Sequence, residues 1–463
     1  MTALAEPSNA LSQVRAIFGS AADIGLRRLV AGPGTLRRLG ELVRETRSGS
    51  GPIVLLTDAT PKVAYGADLT ESVLDRLRQV GRPVHVTVGS PGHHTTADPA
   101  TVADAIARTA GAGVLVTLGS GTICDVGKVA SARGAFPHVV VQTAASVNGY
   151  ANAQSVLLLD GVKTTVSSSW PEVLLIDEET LVCAPPELTR AGLGDLISVY
   201  TASADWALSD ALRVDCGYRP ELVRLLRQAA TAVLPLAGEL PTGTAAVTAL
   251  AHGLTLGGLV MGMAGQTAPS SGTEHAISHL LDMAAGGEGR PHALHGAQVG
   301  ISALVAAATW EHLGARFAAA RVEVPQDAAA RDQVLAAFAE VDPSGAMGER
   351  CWQGYAAKLQ ALRANPEALA SLAARWDAWA DGVAPRLEVL ADALRRAGAP
   401  TRFTDLNPAV SPERARWAIT NAPLLRSRLG IADLAGLAGL WTDADIDAIL
   451  TRLTSVGAGL SAS

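Results

Sequence analysis

The feature of this chain that most limits its fold is where its strand-like runs stop. Short β-branched and aliphatic runs recur at PIVLLTD (52–58), PVHVTVG (83–89), GAGVLVTLGSG (111–121), HVVVQT (138–143) and VLLID (173–177), and residues 187–463 carry almost none. Helical patterns lie between them, TVADAIARTA (101–110) before the glycine-rich strand and VGKVASARG (126–134) after it. This βαβ rhythm predicts an α/β N-terminal domain over residues 1–185, built on a mostly parallel, Rossmann-like sheet. Beyond the CAPPEL turn (183–188), stretches of helical period such as ELVRLLRQAATAVLPLA (221–237) and LVAAATWEHLGARFAAAR (304–321) predict an all-α C-terminal domain, residues 186–463. Within it, the Ala- and Arg-rich segment 325–400 with its tryptophans reads as an elaboration of the helical domain.

A chain of 463 residues is long enough for two separate cores. Its net charge is −7 and its 37 basic residues are dispersed, so the electrostatic footprint of a nucleic-acid binder is missing. Cys124, Cys183, Cys216 and Cys351 lie far apart with no C-x-x-C pair, which fits free thiols in a reducing compartment and makes the cytoplasm the expected location. The N-terminal segment MTALAEPSNALSQVRAIFG lacks a basic region followed by an apolar core. No run of ~18 apolar residues is evident, so no membrane insertion is expected.

GSGTICDVGK (119–128) follows a strand and opens a helix, where backbone N–H groups can face a pyrophosphate. Gly119 and Gly121 would permit close approach, but the spacing is not G-x-G-x-x-G, and a purely structural turn is an equal reading. Asp125 is either a ligand-side acceptor or a first-turn carboxylate favoured by the helix dipole. Asp58, closing a strand, either receives the hydroxyls of an adenosine ribose, which would favour NAD over NADP, or makes an Asp turn.

SSGTEHAISHLLD (270–282) places His275 and His279 on one face of a helix, and His295 follows in ALHGAQVG. Two imidazoles and a carboxylate would leave a divalent cation open to a substrate oxygen. Asp195, in LTRAGLGDLIS (188–198), reads as lying at the glycine-flanked start of a long helix. An acid in such apolar surroundings is paired or metal-bound, unless it is simply an N-terminal helix carboxylate.

Taken in order, GSGTICDVGK, QTAASVNGYANAQSVLLLDGVKTT (142–165), AGLGDLIS, SGTEHAISH and LHGAQVG resemble the glycerol-1-phosphate dehydrogenase family, part of the superfamily of iron-containing alcohol dehydrogenases, glycerol dehydrogenase and dehydroquinate synthase. The resemblance extends from VAGPGTLRRLGELV (30–43) to RWAITNAPLLRSRLGIADL (416–434) and is weakest over 325–400. It implies a dinucleotide-binding first domain, a helical second domain and an active site in the cleft between them. It also implies that Asp195, His275 and His295 ligate the metal, with His279 lining the site without being an obvious ligand; a proton for the alkoxide is expected from water or through His279. Gly119, Ser120, Gly121 and Asp125 would lie beneath the dinucleotide, and Thr143, Ser146, Asn152 and Ser155 beside its phosphates and nicotinamide. Lys163 falls near the substrate in such relatives.

Two positions depart from the family pattern. Asn148 stands where an Asp usually contacts substrate hydroxyls, which keeps hydrogen bonding but removes a base. Ser120 replaces a third glycine. The implied chemistry is reduction of a small phosphorylated ketone, such as dihydroxyacetone phosphate, by NADH or NADPH at a polarising cation. Zinc is the first expectation for the metal, and iron(II) or nickel(II) accept the same ligands. Self-association is common in the family. The alternatives are a dehydroquinate-synthase-like cyclase, whose first ligand is usually Glu rather than Asp, and a non-catalytic protein that kept the fold.

Overall fold

The computed structural model describes residues 9–18, 24–92, 95–314 and 316–461, so residues 1–8 and 19 of the N-terminal segment read above lie outside the described residues. Its strands are β1 (Arg28–Gly32), β2 (Ile53–Asp58), β3 (Val63–Ala64), β4 (Ala67–Asp68), β5 (Pro83–Val88), β6 (Val114–Gly119), β7 (His138–Gln142), β8 (Gln154–Leu159), β9 (Val162–Ser167) and β10 (Val173–Asp177). Six of them form one sheet in the order β1-β10-β7-β6-β2-β5, with every pairing parallel. Because side chains alternate across a pleated strand, β2 and β6 feed two cores, joined by β7 and β10 on one side and by β5 on the other. Ile53, Leu55, Val114, Val116, Val139 and Leu175 enter one cluster, while Val54, Leu56, Leu115, Val86 and Val88 enter the other.

The five strand-like runs of the sequence coincide with β2, β5, β6, β7 and β10. Edge strand β1, RLVAG, was not anticipated: none of its residues is fully buried, so it carries no continuous apolar signal. Strands β8 and β9 form a separate hairpin closed by Asp160 and Gly161, whose φ values of 51° and 74° suit a two-residue turn.

The chain resolves into two compact units, the first comprising residues 1–159, 163–192 and 228–266, and the second residues 160–162, 193–227 and 267–463. The helices used below are α1 (Gly121–Gly134), α2 (Pro186–Ala211), α3 (Thr244–Ala264), α4 (Thr273–Gly287) and α5 (His295–Gly314). In contrast to the sequence reading, α3 is long and apolar enough by length and composition to cross a membrane, but 83% of that stretch is buried within the protein. Its apolar surface is covered by protein.

In the second unit the tryptophan-rich segment packs onto α5. Trp376 stacks on Trp310 with ring centroids 5.9 Å apart and meets Phe317 at 4.5 Å. Asp205, on α2, ties several elements together. Its carboxylate accepts from the Thr273 N–H and hydroxyl at 2.7 Å each, from the Ile431 N–H at 3.1 Å and from the Trp310 indole at 3.2 Å. Burial, reinforced by the nearby Glu274 charge, pushes Asp205 up to about 7.

The fold therefore favours the protonated form of Asp205, whose contribution is full below the unfolded carboxyl value of about 4 and is lost as pH rises to about 7. Asp205→Asn should lower stability by about 1–3 kcal/mol, because its amide would face the Thr273 donors, and should flatten the fall in Tm across that pH window. Parallel Tm profiles for the two proteins would contradict this.

Candidate functional site

In the first unit the chain leaves β2 for the edge strand β5 and then returns to β6 on the other side of β2. Strand order reverses between β2 and β6, and in open α/β sheets such a reversal leaves a crevice beyond the carboxyl ends of the two strands. Asp58 ends one of these strands and Gly119 ends the other. Ser120 caps α1, and Gly121 is its first residue. Both glycines are also closely packed: a Cβ on Gly119 would press on the Ile123 side chain, and one on Gly121 on the Val147 side chain. Asp58 accepts from the Thr60 N–H at 3.1 Å and pairs with Lys62, a cation that the motif reading did not single out.

Asp125 is the fifth residue of α1, so the first-turn reading of its carboxylate is corrected. It pairs with Lys128 at 3.0 Å and accepts from the Val156 N–H at 3.3 Å. Lys128 is fully buried and donates to the Gly149 carbonyl at 2.8 Å, to Asn152 Oδ1 at 3.2 Å and to the Gln154 carbonyl. Asn152 also accepts from the Gln154 N–H at 3.0 Å, while the Ser155 hydroxyl donates to the Asp125 carbonyl at 3.2 Å. These contacts hold residues 149–156 against α1.

Thr143 is half-buried, with its N–H directed at the Gly119 carbonyl at 3.4 Å. Ser146 is buried, its hydroxyl 3.3 Å from that of Tyr150. Half-buried Asn148 opens the turn Gly149–Ala151, and its carbonyl sits over Gly258, where a Cβ would collide with it. Lys163 is half-buried on β9.

The second unit brings the acid and the imidazoles together. Asp195 is the tenth residue of α2 rather than part of its first turn, which removes the helix-dipole explanation for the acid. It is 1% exposed. Its Oδ1 lies 3.5 Å from His275 Nε2, and one donor atom from each of Asp195, His275 and His295 falls within 4.8 Å of the others. The His275 and His295 ring centroids are 5.1 Å apart, and His279 stands beside them at 6.1 and 5.8 Å. A carboxylate oxygen and two imidazole nitrogens at this spacing fit a divalent cation, with coordination positions left for other ligands.

Glycine allows this convergence. A Cβ on Gly194 would collide with the Gly296 carbonyl and crowd Gly300, so α2 and α5 meet backbone to backbone beside Asp195 and His295. Around the donors, buried Glu274 accepts from His275 Nδ1 at 2.9 Å, and the Ser278 hydroxyl lies 3.2 Å from His295 Nδ1. Burial works against a charged His275, but its bonds to Asp195 and Glu274 outweigh this and raise its pKa. Glu274 is lowered on balance, its burial being outweighed by His275 and by the Gly272 and Thr201 donors. Sequence reasoning missed Glu274 and Ser278, although each stands next to a histidine of the motif.

The matching family model is that of the iron-containing alcohol dehydrogenases, over residues 30–185. The glycerol-1-phosphate dehydrogenase [NAD(P)+] of Bacillus subtilis is 29% identical over 305 residues, covering 66% of this chain and 65% of the relative. That of Methanothrix thermoacetophila is 30% identical over 280 residues, covering 60% of this chain and 75% of the relative. The aligned region thus spans less than two thirds of the Bacillus subtilis protein and about half of two further Bacillus relatives. Glycerol dehydrogenase from Schizosaccharomyces pombe shares the fold at a TM-score of 0.55 and 16% identity, covering 94% of each chain.

Gly194→Ala should push α2 from α5, costing about 1–3 kcal/mol by overpacking and separating Asp195 from His295. Metal content and Tm measured on the same preparation check this. A variant with unchanged Tm and metal content would contradict the close approach.

Proposed function

The chain belongs to the glycerol-1-phosphate dehydrogenase family of the iron-containing alcohol dehydrogenases, and on that premise we propose that it is a metal-dependent NAD(P)(H) dehydrogenase interconverting a small phosphorylated polyol and its ketone, of the glycerol-1-phosphate and dihydroxyacetone-phosphate type. The observation that carries this reading is the convergence of Asp195, His275 and His295 within 4.8 Å. When bound, the cation would stabilise negative charge on a carbonyl oxygen and the dinucleotide would supply hydride.

Asp195, His275 and His295 hold the cation in this reading, zinc first, with iron(II) or nickel(II) accepted by the same donors. His279, beside them, exchanges a proton with the substrate oxygen or with water. The N–H groups at the start of α1 receive the pyrophosphate, with Gly119, Ser120 and Gly121 keeping side-chain bulk out of the turn. Thr143 and Ser146 line the same ligand, and Asp125, Asn152 and Ser155 shape the segment beside it. Asp58 takes the ribose hydroxyls, while Lys62 next to it offers the charge a 2′-phosphate needs. Both dinucleotides are therefore expected to serve, NAD(H) the better.

Asn148 hydrogen-bonds a substrate hydroxyl without acting as a base, and Lys163 contributes a cation to substrate binding. Cytoplasmic location and self-association complete the reading. Four free cysteines, with Cys124 and Cys351 buried, suit a reducing compartment.

Purified, metal-loaded protein should consume NADH, and NADPH more slowly, in stoichiometric proportion to dihydroxyacetone phosphate. Unphosphorylated ketones of three to seven carbons should turn over less well, and Asp195→Ala should reduce activity by more than about 100-fold. Turnover without net NADH consumption would identify a cyclase, and no turnover across the panel would overturn the reading.

A further inference from the structure

We propose that Glu274 and Ser278 are positioning residues that decide which nitrogen each imidazole offers: both His275 and His295 are held as Nδ1–H tautomers, leaving Nε2 as the donor to a cation. This rests on the reading that Asp195, His275 and His295 hold that cation. A neutral imidazole carries one N–H and one lone pair, and the partner of one nitrogen fixes the role of the other. Ligation through Nε2 therefore needs an acceptor at Nδ1.

For His275 the acceptor is a carboxylate. Glu274 is fully buried and receives the Gly272 N–H at 2.5 Å and the Thr201 hydroxyl at 2.7 Å. These two donors engage both carboxylate oxygens of Glu274 as acceptors, so His275 Nδ1, 2.9 Å from Oε1, donates. Thr201 lies on α2, as does Asp195, so Glu274 also links the two helices that supply the acid and His275.

For His295 the acceptor is neutral, and its direction is set from farther away. Gln298 Nε2 donates to Asp282 Oδ1 at 2.9 Å, so its Oε1 faces the Ser278 hydroxyl and accepts from it at 2.8 Å. A flipped amide would set oxygen against carboxylate. With its proton committed to Gln298, Ser278 Oγ presents a lone pair to His295 Nδ1 at 3.2 Å. Ser278 and Gln298 are both buried, so water does not compete for these bonds. The two imidazoles thus differ, His275 being backed by a negative charge and His295 by a hydroxyl.

The test titrates metal-free protein with zinc against a chromophoric chelator and reads imidazole tautomers by 15N–1H correlation in the zinc-loaded samples. Glu274→Gln can keep an oxygen toward His275, so the Nδ1–H tautomer should persist while zinc affinity falls about 10-fold. Glu274→Leu should release His275 into a tautomer mixture and cost about 100-fold. Ser278→Ala should cost about 10-fold and alter only the His295 signals. If Glu274→Leu fails to fold, the Gln and Ala variants carry the test. Zinc binding that depends on Asp195 but is unmoved in these variants, with tautomers unchanged, would overturn this inference alone. Zinc binding unaffected by Asp195→Ala would overturn the metal reading and this inference with it.

Discussion

A carboxylate sunk inside an apolar helix imposes a requirement on everything packed around it. Asp195, 1% exposed in the interior of α2, needs positive or proton-donating groups close by, because burying an ionised acid without them costs several kcal/mol, on the order of the desolvation penalty of a single charge. The second unit answers by bringing α4 and α5 to that one point. Gly194 and Gly300 remove the side chains that would keep α2 and α5 apart, and Asp205, ten residues further along α2, binds the first residue of α4 through the Thr273 N–H and hydroxyl. Arg426 and Arg428 hold the preceding loop, donating to Ser271 Oγ at 3.2 Å and to the Ser271 carbonyl at 2.7 Å. Such over-determination fits a site that must keep its donors in place before any ligand arrives.

The first unit meets a different requirement by topology. A parallel sheet whose strand order reverses between β2 and β6 leaves backbone groups facing outward at one end of two strands, and a glycine turn keeps that end clear. Lys128 then fixes the segment after β7, using a buried cation to satisfy the Gly149 and Gln154 carbonyls together with Asn152 and Asp125. Asp125, Asn152 and Ser155 therefore shape the crevice through contacts with one another and with the backbone.

Much of this was legible in the residues, and what was not has identifiable physical causes. The four central strands β2, β6, β7 and β10 announce themselves because burial on both faces demands unbroken apolar runs; edge strand β5 shows only by its alternation, and edge strand β1, half exposed, by neither. The two glycines before Asp195 suggested a helix start, since glycine is a poor helix former. Gly194 in fact serves close helix contact with a segment about a hundred residues away in sequence, and Gly192 passes against the Ala145 carbonyl. Lys128 with Asp125 three residues before it looks locally like any solvated helix ion pair, because its other acceptors come from residues 149–154. The histidine spacing identified the donors to a cation but not Glu274 and Ser278, whose meaning lies in which ring nitrogen they face.

The most direct measurement is metal content with X-ray absorption on the purified protein and on Asp195→Ala, His275→Ala and His295→Ala. The expected result is one equivalent of a divalent metal bound only by oxygen and nitrogen, with two imidazoles at about 2.0–2.1 Å, and its loss in each variant. Metal retained in all three variants, or a sulfur ligand in the coordination shell, would contradict the convergence of these side chains on one cation.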